Sequence, residues 1–285
     1  MNPAFSEPAE HEVLRRGELR ILGRIRSASN ASYLCEAHWD GSSAHGVYKP
    51  VSGEAALWDF PDGTLAGREL AAYLISEFLG WNIVPFTIIR DGPGGPGMVQ
   101  AWVARAGDPL SIGAEEGCDS TVDAVPDAPD PVDLFPVDAQ APGFLPVLRA
   151  YDDTGAEVVL MHASDDHLRL MAVFDVLINN ADRKGGHVLR GLDGHLYGVD
   201  HGVSLHVDDK LRTVLWGWAG QPIDEATMAD VARLVEALDG AFAGELEQLI
   251  TGAEVVALRE RAVDLLHNPE MPEPSRARPL PWPAF

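Results

Sequence analysis

The stretch NNADRKGGHVLRGLDGHLYGVDHG, residues 179–202, decides how the rest of the chain is read. Asp182 and Asp200 each sit in a short polar turn, and His187 stands between them. A helix-spaced apolar segment precedes the stretch, and the strand-like HLYGVD at 195–200 leads into the second aspartate. Taken singly, each aspartate is a turn former and His187 a loop histidine bonded to backbone. Together they are three ligand-capable side chains in one short stretch, and their use depends on what the rest of the chain holds against them.

Working outward, SDDHLRLMAVFDVLINN at 164–180 reads as a buried helix with Ser164 or Asp165 as N-cap. Asp175 lies on it seven residues, about two turns, before Asp182 and faces a similar direction. A carboxylate among Phe174, Leu177 and Ile178 needs a partner, of which Arg183 is one candidate, and Asp175 reads as structural. Downstream, Trp216 and Trp218 are equally suited to core anchoring and to substrate contact. Two amphipathic helices follow at about 224–239 and 245–266, and the last eighteen residues hold six prolines and read as a non-regular tail.

Upstream, residues 18–25, 32–39 and 45–51 read as strands, with the turn RSASNA between the first two and Asp40–Gly41 between the next two. TLAGRELAAYLISEFLG is a helix with Gly80 at its C-terminal cap, and WNIVPFTIIRD and GMVQAWVA are two further strands. Residues 114–142 contain eight acidic residues, five prolines and no Lys or Arg, which predicts a solvated insertion. The expected organisation is an extension at 1–17, a sheet-and-helix unit at 18–105, an acidic linker at 106–163, a mainly helical unit at 164–267 and a tail at 268–285.

The bulk properties narrow the partners. The 285-residue chain has a formal net charge of −23, which repels nucleic-acid phosphates and anionic headgroups. It has no run of eighteen apolar residues, and MNPAFSEPAEHEVLRRGE has neither a charged nor an apolar leader region. Cys35 and Cys118 are its only cysteines, too few for a disulfide framework. These features imply a cytoplasmic protein without a nucleic-acid or membrane partner.

In its order of elements the chain resembles the protein-kinase-like superfamily, and most closely the phosphatidylinositol 3- and 4-kinases and similar atypical bacterial kinases. The resemblance spans about residues 18–266 and rests on short motifs: ADRKGGHVL is similar to the catalytic loop, and VDHG to the metal-binding turn. It implies an α+β, two-lobed fold, with a small antiparallel sheet lobe and a larger, mainly helical lobe. It implies Asp182 and Arg183 as catalytic, with Asp200 binding Mg²⁺ or Mn²⁺. His187 stands where that family has a metal-binding asparagine, and a softer nitrogen there suits Mn²⁺ or a phosphate contact.

Lys49 resembles the strand lysine that holds the ATP phosphates, and Glu69, twenty residues on, its helix partner. The glycine-free turn carrying Ser27, Ser29, Asn30 and Ser32 stands in for the glycine-rich loop, its hydroxyls and N–H groups available to phosphate. Val99, Gln100, Ala101 and Trp102 stand where the hinge strand bonds adenine. The implied activity is ATP- and metal-dependent transfer to a protein or small polar hydroxyl acceptor.

Two rivals remain open. A nucleotide-binding pseudokinase with a regulatory role is consistent with His187 and the glycine-free turn. A metal hydrolase would draw on His162, His167, His187, His195, His201 and His206, although none of these form a helical HExxH pair.

Overall fold

In the computed structural model, residues 9–25, 30–55, 57–60, 65–108, 130–139, 141–152, 154–275 and 277–285 are described. They form an α+β molecule with antiparallel sheets and, among those residues, six α-helices. The first sheet has five strands: β1 (Glu18–Arg24), β2 (Tyr33–Trp39), β3 (Ser42–Pro50), β4 (Thr87–Gly92) and β5 (Gly95–Ala101), in the order β1-β2-β3-β5-β4. Asp40 and Gly41, with φ of 48° and 78°, make the two-residue turn between β2 and β3 that Asp-Gly favours.

Helix α1 (Ala9–Arg16) lies against this sheet and buries Val13 and Leu14 with Leu19, Cys35, Tyr48 and Val99. The sequence alone gives residues 1–17 as an extension, whereas this short helix, half of it charged, is docked on the sheet. Its one apolar pair is enough to dock it.

Helix α2 (Leu65–Leu79) links β3 to β4 and is covered on most of its surface, including Arg68 and Glu69 at 1 % exposure each. WNIVPFTIIRD is a strand only from Thr87 onward. The Ser76 hydroxyl accepts from the N–H groups of Ile83 and Val84, so residues 81–86 fold back onto α2 rather than pair.

The reading of 106–163 as a linker needs correction. Strands β6 (Val132–Pro136), β7 (Phe144–Tyr151) and β8 (Glu157–Ala163) form a second antiparallel sheet, ordered β6-β8-β7. Val132 and Leu160 join the larger core, and Phe135 packs on Phe144, so scattered apolar residues suffice despite the acids and prolines. That larger core also gathers one face each of α2, α3 (Asp166–Ile178), α4 (Glu225–Leu238) and α6 (Gly252–His267).

The helix expected at 245–266 is two, α5 (Ala241–Leu246) and α6, divided where Thr251 caps α6 reciprocally with Glu254. The short hairpin of β9 (Val188–Arg190) and β10 (Leu196–Gly198) separates the two aspartate turns. Residues 271–285 carry no helix or strand among those described, as the prolines predict.

Candidate active site

Helix α3 delivers the first aspartate. Its N-cap Asp165 accepts from the N–H groups of His167 and Leu168, and it ends at Asn179, whose φ of 52° turns the chain sharply. Asn180 then ties the loop to the helix: its side-chain NH₂ donates to Asp175 Oδ1 at 3.0 Å, and its Oδ1 accepts the Asp182 N–H at 3.0 Å.

Arg183 departs from the catalytic role that the motif implies. It is fully buried, and its guanidinium donates to both Asp175 oxygens at 2.9–3.1 Å, to His201 Nε2 at 2.7 Å and to the Val199 carbonyl at 3.2 Å. Thr213 Oγ1 completes the shell of Asp175 at 2.9 Å. A side chain at Gly198 would meet the guanidinium at about 3.0 Å, so glycine there makes room for this cluster. Arg183 therefore joins the two aspartate turns from beneath and touches neither cavity, and its pairing with Asp175 is the structural one the helix face suggested.

Asp200 occupies left-handed backbone, φ 64°, unusual for a non-glycine residue and frequent at functional turns. The next N–H, that of His201, donates to Glu69 Oε2 at 2.8 Å. Glu69 thus has two duties, because its Oε1 accepts from Lys49 Nζ at 2.6 Å. Lys49 also donates to Asp200 Oδ1 at 2.7 Å. β3, α2 and the VDHG turn, far apart in sequence, converge on one ammonium. Burial pushes the Lys49 pKa down, but the Asp200 and Glu69 carboxylates outweigh it and hold the side chain charged. Lys49 in turn keeps Asp200 ionised well below the usual carboxylate range.

Two cavities meet at this ion pair. One, about 240 Å³, has apolar walls from Ile25, Val47, Ala101, Val103, Leu189 and Val199. The other, about 290 Å³, is the more polar of the two, with Asn30, Glu54, Asp59, Asp182 and Arg212 among mixed walls that include Leu57, Phe60 and Leu65. Lys49 and Asp200 line both. Burial raises the Asp182 pKa, countered by Lys184, whose Nζ lies 3.2 Å from Oδ2.

His187 faces Asp200. Burial lowers its pKa to about 4, so the ring is neutral near pH 7. Its Nδ1 donates to the Asp182 carbonyl at 2.9 Å, which leaves the Nε2 lone pair 3.3 Å from Asp200 Oδ2. Two electron-pair donors facing each other at that separation suit a shared cation. The pair therefore fits a divalent metal whose remaining ligands come from elsewhere. Among the described residues no group of three or more His, Cys, Asp or Glu could hold a metal ion.

The chain is 63% identical over 276 residues to Protein Rv2133c of Mycobacterium tuberculosis (strain ATCC 25618 / H37Rv), a match covering 97% of this chain and 95% of that protein. The chain belongs to that protein's family. No family model matches it, and no solved structure does.

The remaining sequence-derived residues of this Rv2133c-family chain divide. Asn30 and Ser32 line the polar and the apolar cavity respectively, while Ser27 and Ser29 lie outside the described residues. The backbone N–H groups of 99–102, where a nucleobase-bonding edge is expected, are already bonded within the fold. β5 is an inner strand, so Val99 and Gln100 are paired to β3 and β4 on both sides. The Ala101 N–H goes to the Phe86 carbonyl and the Trp102 N–H to that of His45. Val99 faces the core, Gln100 donates to Thr87 Oγ1 at 2.9 Å, and Trp102 Nε1 donates to Asp108. Gln100, Ala101 and Trp102 nevertheless line the apolar cavity, together with Val103.

The histidines do not gather at one site: His162 serves Gly217, His167 and His195 lie ring against ring and serve the carbonyls of Trp81 and Asn82, and His206 packs on Phe60. Sequence reasoning missed Glu54, Asp59 and Arg212, which carry no motif and reach the cavity only through the fold.

Proposed function

We propose that this chain is an ATP- and divalent-metal-dependent phosphotransferase with a two-lobed, kinase-like organisation, acting on a protein or small polar hydroxyl acceptor in the cytoplasm. The observation that carries the reading is Lys49 Nζ held between Glu69 at 2.6 Å and Asp200 at 2.7 Å, where an apolar slot opens into a polar cavity containing Asp182. The apolar slot suits a nucleobase and the ammonium suits its phosphates. Glu69 fixes the ammonium, which is therefore presented to phosphate oxygens without further ordering.

A divalent metal, when bound, neutralises phosphate charge, and Asp200 with His187 would hold it. Asp182 orients the acceptor hydroxyl and takes its proton. The acceptor oxygen bonds to the γ-phosphorus as the bridge from that phosphorus to the β-phosphate oxygen breaks, and ADP leaves with the bridging oxygen. The burial that raises the Asp182 pKa makes it a better proton acceptor than an exposed aspartate.

A membrane lipid fits less well as acceptor. The net charge of −23 repels anionic headgroups, and no helix among the described residues is long and apolar enough to cross a membrane. The substitution of histidine for asparagine at His187 favours one second reading, a pseudokinase that binds nucleotide without transfer.

Incubation with γ-labelled ATP in Mg²⁺ and in Mn²⁺ separates the two. Phosphotransfer predicts label release or transfer by the wild type and a loss of about a hundredfold or more in Asp182→Ala and Asp200→Ala. Nucleotide binding with no turnover in either metal supports the pseudokinase and defeats the transferase.

A further inference from the structure

Residues 279–285 cross the molecule to reach the loop that carries Asp182. The Pro279 carbonyl accepts from the Thr213 N–H at 3.2 Å and from Trp216 Nε1 at 3.0 Å. Thr213 itself bridges to Arg183 beneath the loop. Farther on, the Ala284 carbonyl accepts the Gly185 N–H at 2.8 Å, and Leu280 and Ala284 pack against the larger core. The Phe285 ring lies over Gly185 so closely that a methyl on that glycine would overlap it. Gly185 does not have a φ that demands glycine; the ring alone accounts for the missing side chain.

Asp182 is fixed on one side by Asn180, and Arg183 by the Arg212 carbonyl, while the 3-10 turn Gly185–His187 is closed by a bond from the His187 N–H to Lys184. The Gly185 N–H is tied to a segment outside the loop, and the Ala284 carbonyl is its partner. That tie falls midway between Asp182 and His187, whose ring donates back to the Asp182 carbonyl.

We infer that residues 279–285 act as a positioning strap, in which the Ala284 carbonyl and the Phe285 ring hold loop 182–187 in the geometry that presents Asp182 to the polar cavity. The catalytic consequence rests on reading Asp182 as the group that orients the acceptor, whereas the hold on the loop is measurable without turnover.

The test uses the full chain with Phe285→Ala and Gly185→Ala, singly and combined. Amide exchange over residues 182–187 is followed by mass spectrometry, alongside ATP turnover. Phe285→Ala raises exchange in that loop about tenfold and lowers kcat about tenfold, a larger change than in KM for ATP, because the loop lines the apolar slot only through Gly186 and His187 while Lys49 and the other walls lie off the loop. Gly185→Ala does the same by expelling the ring, so the combined variant is no worse than Phe285→Ala alone. Phe285→Tyr, which keeps the ring, restores both readouts.

Unchanged exchange over 182–187 in Phe285→Ala, or additive effects in the combined variant, overturns the inference. So does a loosened loop with unchanged kcat in a wild type that turns over. Absence of turnover in the wild type would defeat the proposed phosphotransfer, and the exchange result would still decide the strap. Should Phe285→Ala fail to fold, Phe285→Leu gives the same readouts with the flat ring removed.

Discussion

Arg183 and Asp175, both fully buried, form the charge pair on which the two aspartate turns rest. Asp175→Asn leaves the guanidinium without its counter-charge, and the expected loss is about 3–5 kcal/mol in urea denaturation. Arg183→Met is expected to cost as much, because Asp175 is then the orphan. His187 makes a different prediction. If its Nε2 and Asp200 share a cation, His187→Asn replaces a nitrogen ligand with a harder oxygen, so the ratio of Mg²⁺- to Mn²⁺-supported turnover rises. An unchanged ratio would separate His187 from the metal. At this scale the resemblance to kinase motifs singles out Lys49, Glu69, Asp182 and Asp200, and the structure brings Lys49, Glu69 and Asp200 into hydrogen-bonding contact. Arg183 is misassigned by its motif because a motif fixes neighbours in sequence and says nothing about which way a guanidinium points. Arg212 and Asp59 are illegible for the converse reason, since only the folded chain brings them beside Asp182.

Among the elements, α2 and α6 are joined by a charge pair that also involves a cap. Glu254 Oε2 accepts the Thr251 N–H at 2.9 Å to close the capping box, while Oε1 accepts from Arg68 at 2.6 Å. Thr251→Ala removes the cap alone and should cost about 1 kcal/mol. Glu254→Ala removes the cap and also the carboxylate facing Arg68, which keeps its bond to the Ser204 carbonyl, so its cost should exceed that of Thr251→Ala in the same denaturation measurement. Equal losses would show that the Arg68 pair carries no weight. The helices α2, α3 and α4 can be read from their 3.6-residue apolar period. The break before α6 is also written in the sequence, as Thr-Gly-Ala-Glu, a capping signature that apolar periodicity alone passes over. α1 and the sheet of β6, β7 and β8 are harder to see, because their few apolar residues stand among charges and prolines and are decided by distant partners such as Tyr48 and Leu168. β5 shows the limit for strands: its pattern identifies a strand, but not that both its edges are occupied.

For the molecule as a whole, stability should depend on pH through buried neutral histidines. His162 is fully buried, its Nε2 accepts from the Gly217 N–H at 3.0 Å, and burial lowers its pKa to about 4. In the unfolded chain it titrates near 6.5, so the unfolded state binds the proton first. Its contribution is complete above pH 6.5 and is lost as pH falls from there toward 4, at up to about 1.4 kcal/mol per pH unit. His162→Gln keeps an acceptor without the titration, so it should be less stable at pH 7.5 yet lose less between pH 7 and about 5 in urea titrations. Parallel losses would exclude His162 as the source. The same whole-molecule view places the two cavities on either side of one lysine, and that arrangement is the central claim. Its most direct test is a structure determined with a non-hydrolysable ATP analogue and Mn²⁺. The account predicts the base between Val47, Val103, Leu189 and Val199, the phosphates on Lys49, the metal on Asp200 and His187, and the γ-phosphate turned toward Asp182. A nucleotide bound elsewhere, or none at millimolar concentration with Lys49 still closed on Asp200, would contradict it.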